Sequence, residues 1–403
     1  MNPSPKAKPG LGEFVTLMGI LTSLLALSID AMLPALSEIG AELGVENKNH
    51  PQLIVSSLFV GFAVGQLFFG PLSDSIGRKP AIYLGLGIFV LGDVISLLAT
   101  NFPMMLVGRV LQGFGVAGPR IVAIALVRDR FEGREMARIL SLIMMVFIVV
   151  PAIAPALGQG ILFFAPWRYI FGFILGLATI AFVWFALRQP ETLPPQKRVS
   201  FSFVQIISGV RQTCTNRSAL GYTIASGSLF GAFIGYLSSA PQIFQVQFGL
   251  GDRFPLFFGS LAVAIGAAAF FNSRMVLRYG MRVLSWRALQ GLSSMGILFC
   301  LVTFARDGWL PLWGLMFWGA VSFFCIGILF GNFNALAMES MGHIAGTAAA
   351  VIGCLSTMTG LVIGAYIGQI YNGTALPLIS GFTILSMISM GIMLWTERGK
   401  IEV

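Results

Sequence analysis

The segment GPLSDSIGRKP, residues 70–80, joins two apolar runs near residues 52–73 and 80–99. Glycine and proline allow an abrupt turn, and Gly77 can supply the positive φ that such a turn needs. Arg78 and Lys79 would hold the turn at one membrane surface, because lysine and arginine concentrate in the cytoplasmic loops of membrane proteins. The segment therefore predicts a tight connection between two membrane-spanning helices.

The rest of the chain has the same apolar character. Of its 403 residues, 56% are hydrophobic and 10% are charged, and the mean hydropathy is +0.86. A helix needs about 20 apolar residues to cross a bilayer, whereas the strands of a β-barrel alternate apolar and polar residues. Twelve unbroken runs of suitable length occur, near residues 14–36, 52–73, 80–99, 103–127, 136–161, 168–187, 219–245, 254–275, 282–304, 310–337, 344–370 and 376–395. We therefore expect an all-α membrane protein with twelve transmembrane helices in two pseudo-symmetric six-helix bundles.

One long polar connection, residues 188–217, separates the sixth run from the seventh. A shift of 203 residues places Gly77 on Gly280 and Lys79 on Arg282, which indicates a faint internal repeat. One large class of transporters builds a central site between two related halves in this way. The predicted division is an N-terminal tail at 1–13, a first bundle at 14–187, a linker at 188–217, a second bundle at 218–395 and a C-terminal tail at 396–403.

Basic residues are distributed unevenly between the two sides of the predicted membrane. We assign 19 of the 25 lysines and arginines to the tails and the even-numbered loops, and only Lys48, Arg168, Arg253 and Arg306 to the other side. The positive-inside rule then places both termini in the cytoplasm. The net charge of +9 follows from this topology, and no separate basic domain indicates binding to nucleic acid.

Nothing in the sequence indicates an enzyme or a metal site. The four cysteines lack C-x-x-C spacing, and His50 and His343 are isolated, whereas a catalytic zinc needs about three converging protein ligands. No nucleotide-binding loop or nucleophile arrangement occurs. A membrane enzyme or receptor is therefore the least favoured class of protein.

Four charged residues lie within the predicted spans and are not assigned to a loop: Asp30 in the first span, Asp93 in the third, and Arg109 and Arg120 in the fourth. An ionised group there costs about 2.5–3.5 kcal/mol on insertion scales, so such groups mark paths for protons, ions or substrates. Asp93 and Arg109 match in depth, whereas Arg120 lies roughly 16 Å deeper at 1.5 Å per residue. We expect Arg120 to face a central cavity as a proton-relay or substrate-binding cation. The alternatives are that Arg109 extends to the outer surface and that Arg120 bonds helix-end carbonyls.

Two motifs resemble those of the major facilitator superfamily. The loop at residues 70–80 matches G-x-L-a-D-r-x-G-r-k at Gly70, Leu72, Asp74, Gly77, Arg78 and Lys79, and the fourth span matches R-x-x-Q-G-x-G at Arg109, Gln112, Gly113 and Gly115. The resemblance implies the major facilitator fold and a role for Arg109 in proton transfer.

The same resemblance implies a gate. In that superfamily the loop aspartate, here Asp74, caps the start of the eleventh helix in the outward-facing state, and here that helix begins near Gly342. A charge relay in which Arg78 meets Asp129 is also implied. We therefore expect Asp74, Gly77, Arg78, Lys79, Asp129 and Gly342 to act in gating.

The fifth span, at residues 150–160, looks like the glycine- and proline-rich antiporter motif of drug exporters. It departs from that motif because Ala154-Pro155 replaces Gly-Pro and Gly158-Gln159 replaces Gly-Gly, so simple helix packing is the alternative. With segments 28–36, 65–74, 127–129 and 334–348, the chain is similar to the Bcr/CflA (bicyclomycin/chloramphenicol resistance) branch of the twelve-span drug/proton antiporters. In that branch the acid of the first span, here Asp30, binds drug and proton.

We therefore expect proton-coupled efflux of small amphiphilic drugs, such as phenicol- or bicyclomycin-type antibiotics, by alternating access. The expected setting is a bacterial inner membrane, with the proton gradient as driving force, no cofactor, and a monomeric protein. The alternative is a proton-coupled symporter or exporter of an endogenous small metabolite. We expect proton coupling at Asp30, Asp93, Arg109 and Arg120, and substrate contact at Asp30, Gln66, Arg120, Tyr222, Phe230, Phe233, Tyr236, Asn332 and Asn334.

Overall fold

The computed structural model describes residues 10–397, which form fourteen α-helices. Twelve helical segments in this range are long and apolar enough to cross a membrane, as the sequence predicts. The helices are α1 (Leu11–Asp30), α2 (Leu36–Glu42), α3 (Leu53–Ile76), α4 (Arg78–Leu97), α5 (Phe102–Arg130), α6 (Gly133–Leu162), α7 (Arg168–Arg188), α8 (Phe203–Thr215), α9 (Arg217–Pro241), α10 (Phe254–Tyr279), α11 (Met281–Phe304), α12 (Leu312–Met338), α13 (Ala345–Gln369) and α14 (Leu376–Thr396). Four of the basic residues from which the membrane orientation is predicted lie outside the described residues: Lys6, Lys8, Arg398 and Lys400.

The helices pack as two bundles. Helices α1 and α3 to α7 form the first bundle, and α9 to α14 form the second. The main contacts between the bundles are α3 against α13 and α6 against α10. We call the face that carries the ends of α1 and α14, at Leu11 and Thr396, the terminal face, and the other the opposite face.

Each bundle contains the same tight turn at the terminal face. Gly77 has φ 107° between α3 and α4, and Gly280 has φ 79° between α10 and α11. Both values lie in the left-handed region, which glycine adopts without the steric cost of a Cβ. The internal repeat in the sequence therefore corresponds to a repeated turn.

Helix α5 is packed closely on two neighbours through its glycines. A Cβ added at Gly113 would lie 1.9 Å from the carbonyl oxygen of Leu58 in α3, and one at Gly115 would lie 2.2 Å from the backbone nitrogen of Phe89 in α4. Small residues allow such backbone contacts between membrane helices. The glycines of the fourth-span motif thus fix α5, with its charged side chains, in the centre of the first bundle.

The linker contains α8, a helix that the sequence analysis did not predict. Ser202 accepts a hydrogen bond from the backbone N–H of Gln205 at the start of this helix, which satisfies one of its free N–H groups. Gly209 of α8 lies against Thr347 of α13, so the linker packs on the second bundle.

Candidate functional site between the bundles

The two bundles are hydrogen-bonded to each other at the opposite face. Asn49 of the first bundle donates from Nδ2 to the carbonyl oxygens of Gln369 and Tyr371, both at 2.9 Å. Gln242 donates from Nε2 to the Lys48 carbonyl oxygen at 2.6 Å and to Asn49 Oδ1 at 3.1 Å. We call Asn49, Gln52, Gln242, Gln369 and Tyr371 the amide seal.

Three further contacts complete the amide seal, and in one of them Gln369 donates from Nε2 to the Asn49 carbonyl oxygen at 2.9 Å. Gln52 donates from Nε2 to Gln242 Oε1 at 2.5 Å, and the Tyr371 hydroxyl donates to the Gln242 carbonyl oxygen at 3.4 Å. Burial raises the pKa of the Tyr371 hydroxyl above its ordinary value, so this group stays protonated and can donate. The seal therefore consists of uncharged groups.

Toward the terminal face the bundles are joined less tightly. Gln66 donates from Nε2 to Thr357 Oγ1 at 3.0 Å and to the Gly353 carbonyl oxygen at 3.5 Å near mid-depth, and between these contacts and the terminal face the described residues make no hydrogen bond from bundle to bundle. Asp74 bonds Arg78, and its side chain is 48% exposed. The predicted cap on the eleventh helix, near Gly342, is thus not formed. This arrangement is closed at the opposite face.

The loop at residues 70–80 is held by a charge cluster inside the first bundle. The buried Arg78 donates from Nη1 to Asp74 Oδ1 at 2.5 Å and from Nε to Asp129 Oδ2 at 2.8 Å. The contact of Arg78 with Asp129 that the family resemblance implies is therefore present. A buried guanidinium needs such carboxylate partners to offset its lost hydration.

The linker contributes a residue to this cluster that sequence reasoning missed. Glu191 accepts hydrogen bonds from the backbone N–H groups of Arg78 and Lys79, both at 3.0 Å. A carboxylate at this position satisfies free N–H groups and matches the positive end of the α4 dipole. The only sequence signal was an acidic residue just after the sixth span. Glu191 thus ties the linker to the start of α4.

A second cluster at the terminal face corrects the expectation for Tyr222. The Tyr222 side chain is fully buried, and its hydroxyl donates to Glu397 Oε1 at 2.6 Å. Arg282 donates to the same oxygen at 2.9 Å and to Glu339 Oε2 at 2.7 Å. Tyr222 lies near the start of α9 and supports this ion-pair cluster, which contradicts its predicted contact with substrate.

Arg109 lies at the centre of a buried network in the first bundle. It donates from Nη2 to the Ser28 carbonyl oxygen at 2.9 Å, from Nε to the Ile54 carbonyl oxygen at 3.2 Å, and from Nη1 to Gln112 Oε1 at 2.5 Å. Its side chain has no exposed surface, which excludes extension to the membrane surface. Arg109 therefore links α1, α3 and α5.

Asp93 joins this network through Gln112 rather than directly. Gln112 donates from Nε2 to Asp93 Oδ1 at 2.5 Å, so the amide bridges the carboxylate of α4 and the guanidinium of Arg109. The other oxygen, Asp93 Oδ2, is buried without a hydrogen-bond partner among the described residues. Asp93 and Arg109, which were predicted to lie at the same depth in the membrane, are thus a pair bridged by Gln112.

Asp30 is the last residue of α1 and lies at the bundle interface. Its side chain is only 4% exposed, and none of the described residues donates a hydrogen bond to it. The Tyr236 hydroxyl of α9, in the other bundle, is also buried and has no hydrogen-bond partner among the described residues. Each bundle therefore contributes one buried polar side chain that no described residue hydrogen-bonds.

Arg120 lies apart from Asp93, as the predicted difference between their depths in the membrane indicates. Its guanidinium lies over the Phe147 ring of α6, 4.0 Å from the centroid. The side chain is partly exposed, and none of its nitrogen atoms is cut off from the surface. It forms no hydrogen bond and no ion pair with the described residues, so the alternative of bonds to helix-end carbonyls is wrong.

The three amide side chains that were predicted to contact substrate do not all lie together. Asn332 exchanges two hydrogen bonds with Asn272 of α10, at 2.9 and 3.2 Å, and is buried. Asn334 is exposed near the terminal end of α12. Gln66 bonds across to α13. Of the three, Gln66 alone joins the two bundles.

The predicted aromatic residues form one surface on the second bundle. Phe230 and Phe233 of α9 are stacked with centroids 6.2 Å apart, and both contact Phe330 of α12. Phe230 also meets the edge of Phe59 in α3 at 5.5 Å. Tyr236 continues this surface one turn further along α9. These rings together form an apolar surface of α9 and α12 that meets α3 of the first bundle.

The fold and the interface together define a twelve-helix membrane transporter, and no catalytic arrangement occurs among the described residues. The family model described as Major Facilitator Superfamily matches residues 18–365, and the chain belongs to that family. It is a multi-pass membrane protein that acts on small molecules, and it is a transporter rather than an enzyme.

Named relatives support the Bcr/CflA branch at modest identity. The chain is 30% identical to a bicyclomycin resistance protein homolog of Haemophilus influenzae, over 94% of each chain. It is 29% identical to a chloramphenicol resistance protein of Pseudomonas aeruginosa, over 95% of this chain and 90% of that one.

A solved structure supports the fold independently of sequence. The partially occluded inward-open conformation of the xylose transporter XylE from E. coli matches with a TM-score of 0.73 at 12% identity. The match covers 97% of this chain and 99% of that one. At this identity the likeness shows the fold alone.

Proposed function

We propose that this protein exports small amphiphilic drugs in exchange for protons across a bacterial inner membrane. In this proposal the termini lie in the cytoplasm, the proton gradient drives transport without a cofactor, and the protein acts as a monomer. The observation that carries the proposal is Asp30, a buried carboxyl group at the interface of the two bundles to which none of the described residues donates a hydrogen bond.

Burial explains how Asp30 would couple the two fluxes. An ionised carboxylate that loses water without gaining a partner is unstable, so enclosure favours the neutral acid. Asp30 takes up a proton when the opposite face is open, and it releases the proton when its surroundings become more hydrated or cationic. Drug and proton then compete for one state of the carboxyl group.

Alternating access would use the two unequal ends of the interface. The amide seal closes the opposite face here, while Asp74 remains free of the eleventh helix. In the other state, Asp74 would cap that helix and the seal would be broken. Each ligand shifts this equilibrium only by its different affinity for the two states.

The names of the relatives in Haemophilus influenzae and Pseudomonas aeruginosa favour bicyclomycin- and phenicol-type substrates. Uptake of an endogenous metabolite by symport is the second candidate, because the fifth span departs from the antiporter motif at Ala154 and Gln159. Both candidates use the same fold and the same carboxyl group. They differ in the direction of proton movement.

The test uses purified protein in vesicles with a pH-sensitive dye inside and no imposed gradient. Addition of chloramphenicol should move protons opposite to the drug, whereas co-directional movement would establish symport. The Asp30→Asn variant should lose this proton movement while still binding drug. Glu38→Gln, which alters an exposed carboxylate on α2, is the matched control and should behave like the parent protein. Drug-evoked proton exchange by Asp30→Asn at the parental rate would refute the assignment.

A further inference from the structure

We propose that Arg120 is the binding site for an acidic group on the cargo, so that the substrates include amphiphiles carrying a carboxylate. This inference rests on the proposed export function, because it names a substrate class for the same interface. It follows from four features of Arg120. The side chain forms no hydrogen bond or ion pair with the described residues, it faces the interior of the protein, it lies deep in the membrane, and its guanidinium lies over an aromatic ring.

Arg120 differs from the buried Arg78 and Arg109 in its polar contacts. Arg78 is neutralised by two aspartates, and Arg109 donates to an amide and two carbonyl oxygens. Arg120 donates to none of the described residues, although a guanidinium has five N–H donors. Its hydrogen-bonding capacity is therefore unused within the described part of the chain.

The guanidinium lies on the inward side of the helices. Met145, Val149 and Ile153 are 61%, 47% and 48% exposed and mark the outer side of α6. At 3.6 residues per turn, Phe147 lies about 200° around the helix from Met145, close to the opposite side. Because Arg120 stacks on Phe147, it faces the interior of the protein rather than lipid.

The position on α5 leads to the same conclusion. Arg109 and Arg120 are eleven residues apart, about three helical turns, so they lie on one face of α5. Arg109 on that face reaches the Ser28 carbonyl oxygen of α1. The face therefore points into the first bundle and toward the helix that carries Asp30.

The depth of Arg120 requires a polar partner. Arg120 is ten residues from the end of α5 at Arg130, which is about 15 Å from the terminal face. Lipid cannot solvate a cation at that depth, so the cation must face water or an anion. The side chain of Arg120 is partly exposed and none of its nitrogen atoms is cut off from the surface, so a ligand can reach it.

The geometry of the site favours a carboxylate attached to a flat apolar body. Phe147 covers one side of the guanidinium, 4.0 Å from its ring centroid, while the N–H groups of Arg120 remain free to donate. Two parallel N–H groups match the two oxygens of a carboxylate. An anionic cargo group compensates the charge of Arg120, which forms no ion pair with the described residues.

Binding of naphthoic acid and of naphthamide to the full-length protein in nanodiscs tests this inference. The two probes share an aromatic body and differ in charge. We expect the protein to bind the acid more tightly than the amide, and Arg120→Gln to lower the acid-to-amide affinity ratio on the order of tenfold to a hundredfold, as for loss of charge-assisted hydrogen bonds. Arg120→Lys should restore part of the ratio, because it keeps the charge but not the fork.

Controls separate this inference from folding and from the proposed function. Arg287→Gln removes an exposed arginine of α11 and should leave the ratio at the parental value. Asp30→Asn should abolish proton exchange but keep the preference for the acid, so failure of export would not alter this test. An unchanged ratio in a folded Arg120→Gln variant, or equal binding of both probes by the parent protein, would overturn the inference. Displacement of the acid by chloride at equal concentration would indicate a site for inorganic anions and would also overturn it.

Discussion

Loss of the Asn49 side chain should shift the protein toward the state that is open at the opposite face. Asn49→Ala removes three hydrogen bonds between the bundles, two donated to Gln369 and Tyr371 and one accepted from Gln242. Each such bond contributes about 0.5–1.5 kcal/mol net, so the closed arrangement should lose roughly 1.5–4.5 kcal/mol. At about 1.4 kcal/mol per factor of ten, the conformational equilibrium should move by roughly 10- to 1000-fold.

The measurement is the distance between spin labels at Glu46→Cys and Arg306→Cys, two exposed positions at the opposite face on different bundles, in a background without the native cysteines. The population of long distances should rise in Asn49→Ala and should not depend on pH near neutrality, because the seal is uncharged. Asn372→Ala is the matched control, since Asn372 bonds only within its own turn. An unchanged distance distribution in Asn49→Ala would show that these bonds do not hold the face closed.

Three further predictions concern packing and buried networks. Gln112→Leu should lower the thermal unfolding temperature strongly, because it removes the hydrogen-bond donor of buried Asp93 and one of the three acceptors of buried Arg109, at about 1–3 kcal/mol for each group. Glu191→Ala should lower the free energy of unfolding by about 0.5–2 kcal/mol, the usual effect of losing a helix cap, measurable in the same thermal scans. Gly158→Ala would place a Cβ 1.8 Å from the Ala31 carbonyl oxygen and should reduce drug transport in vesicles at least about tenfold, since α1 and α6 must separate beside the coupling residue. Gly160→Ala, with no atom within 4 Å of the added Cβ, should transport at the parental rate, and equal loss in both variants would contradict this packing argument.

The features that sequence predicted well are those set by local chemistry. The apolar runs predict the twelve helices because each run must satisfy its own backbone in lipid. Gly77 predicts a tight turn because few other residues adopt positive φ. The partnership of Asp93 with Arg109 follows from counting residues along antiparallel spans, although that count could not show that Gln112 lies between them.

The features that sequence missed depend on contacts between distant parts of the chain. Tyr222 looked like a pocket residue because it is an aromatic residue of the seventh span, but its hydroxyl meets Glu397 at the far end of the chain. The amide seal joins Asn49 to residues more than three hundred positions away. Polar amides in loops carry no periodic pattern, so only the three-dimensional arrangement reveals that they meet.

Among the described residues, ion pairs occur within the bundles, whereas the polar contacts between the bundles are hydrogen bonds without an ion pair, and this division suits alternating access. Every ion pair among residues 10–397 lies within a single bundle, as in Arg78 with Asp129 and Arg282 with Glu339. Each bundle is held mainly by close helix packing, to which the one largely buried pair, Arg78 with Asp129, adds about 3–5 kcal/mol, whereas a neutral hydrogen bond contributes only about 0.5–1.5 kcal/mol because water replaces it readily. The bundles can therefore stay rigid while the seal between them exchanges its partners for water. Asp30 is placed to bias that exchange, because it ends α1 only four residues before Pro34, whose carbonyl oxygen accepts a hydrogen bond from Gln245 of the second bundle at 3.2 Å.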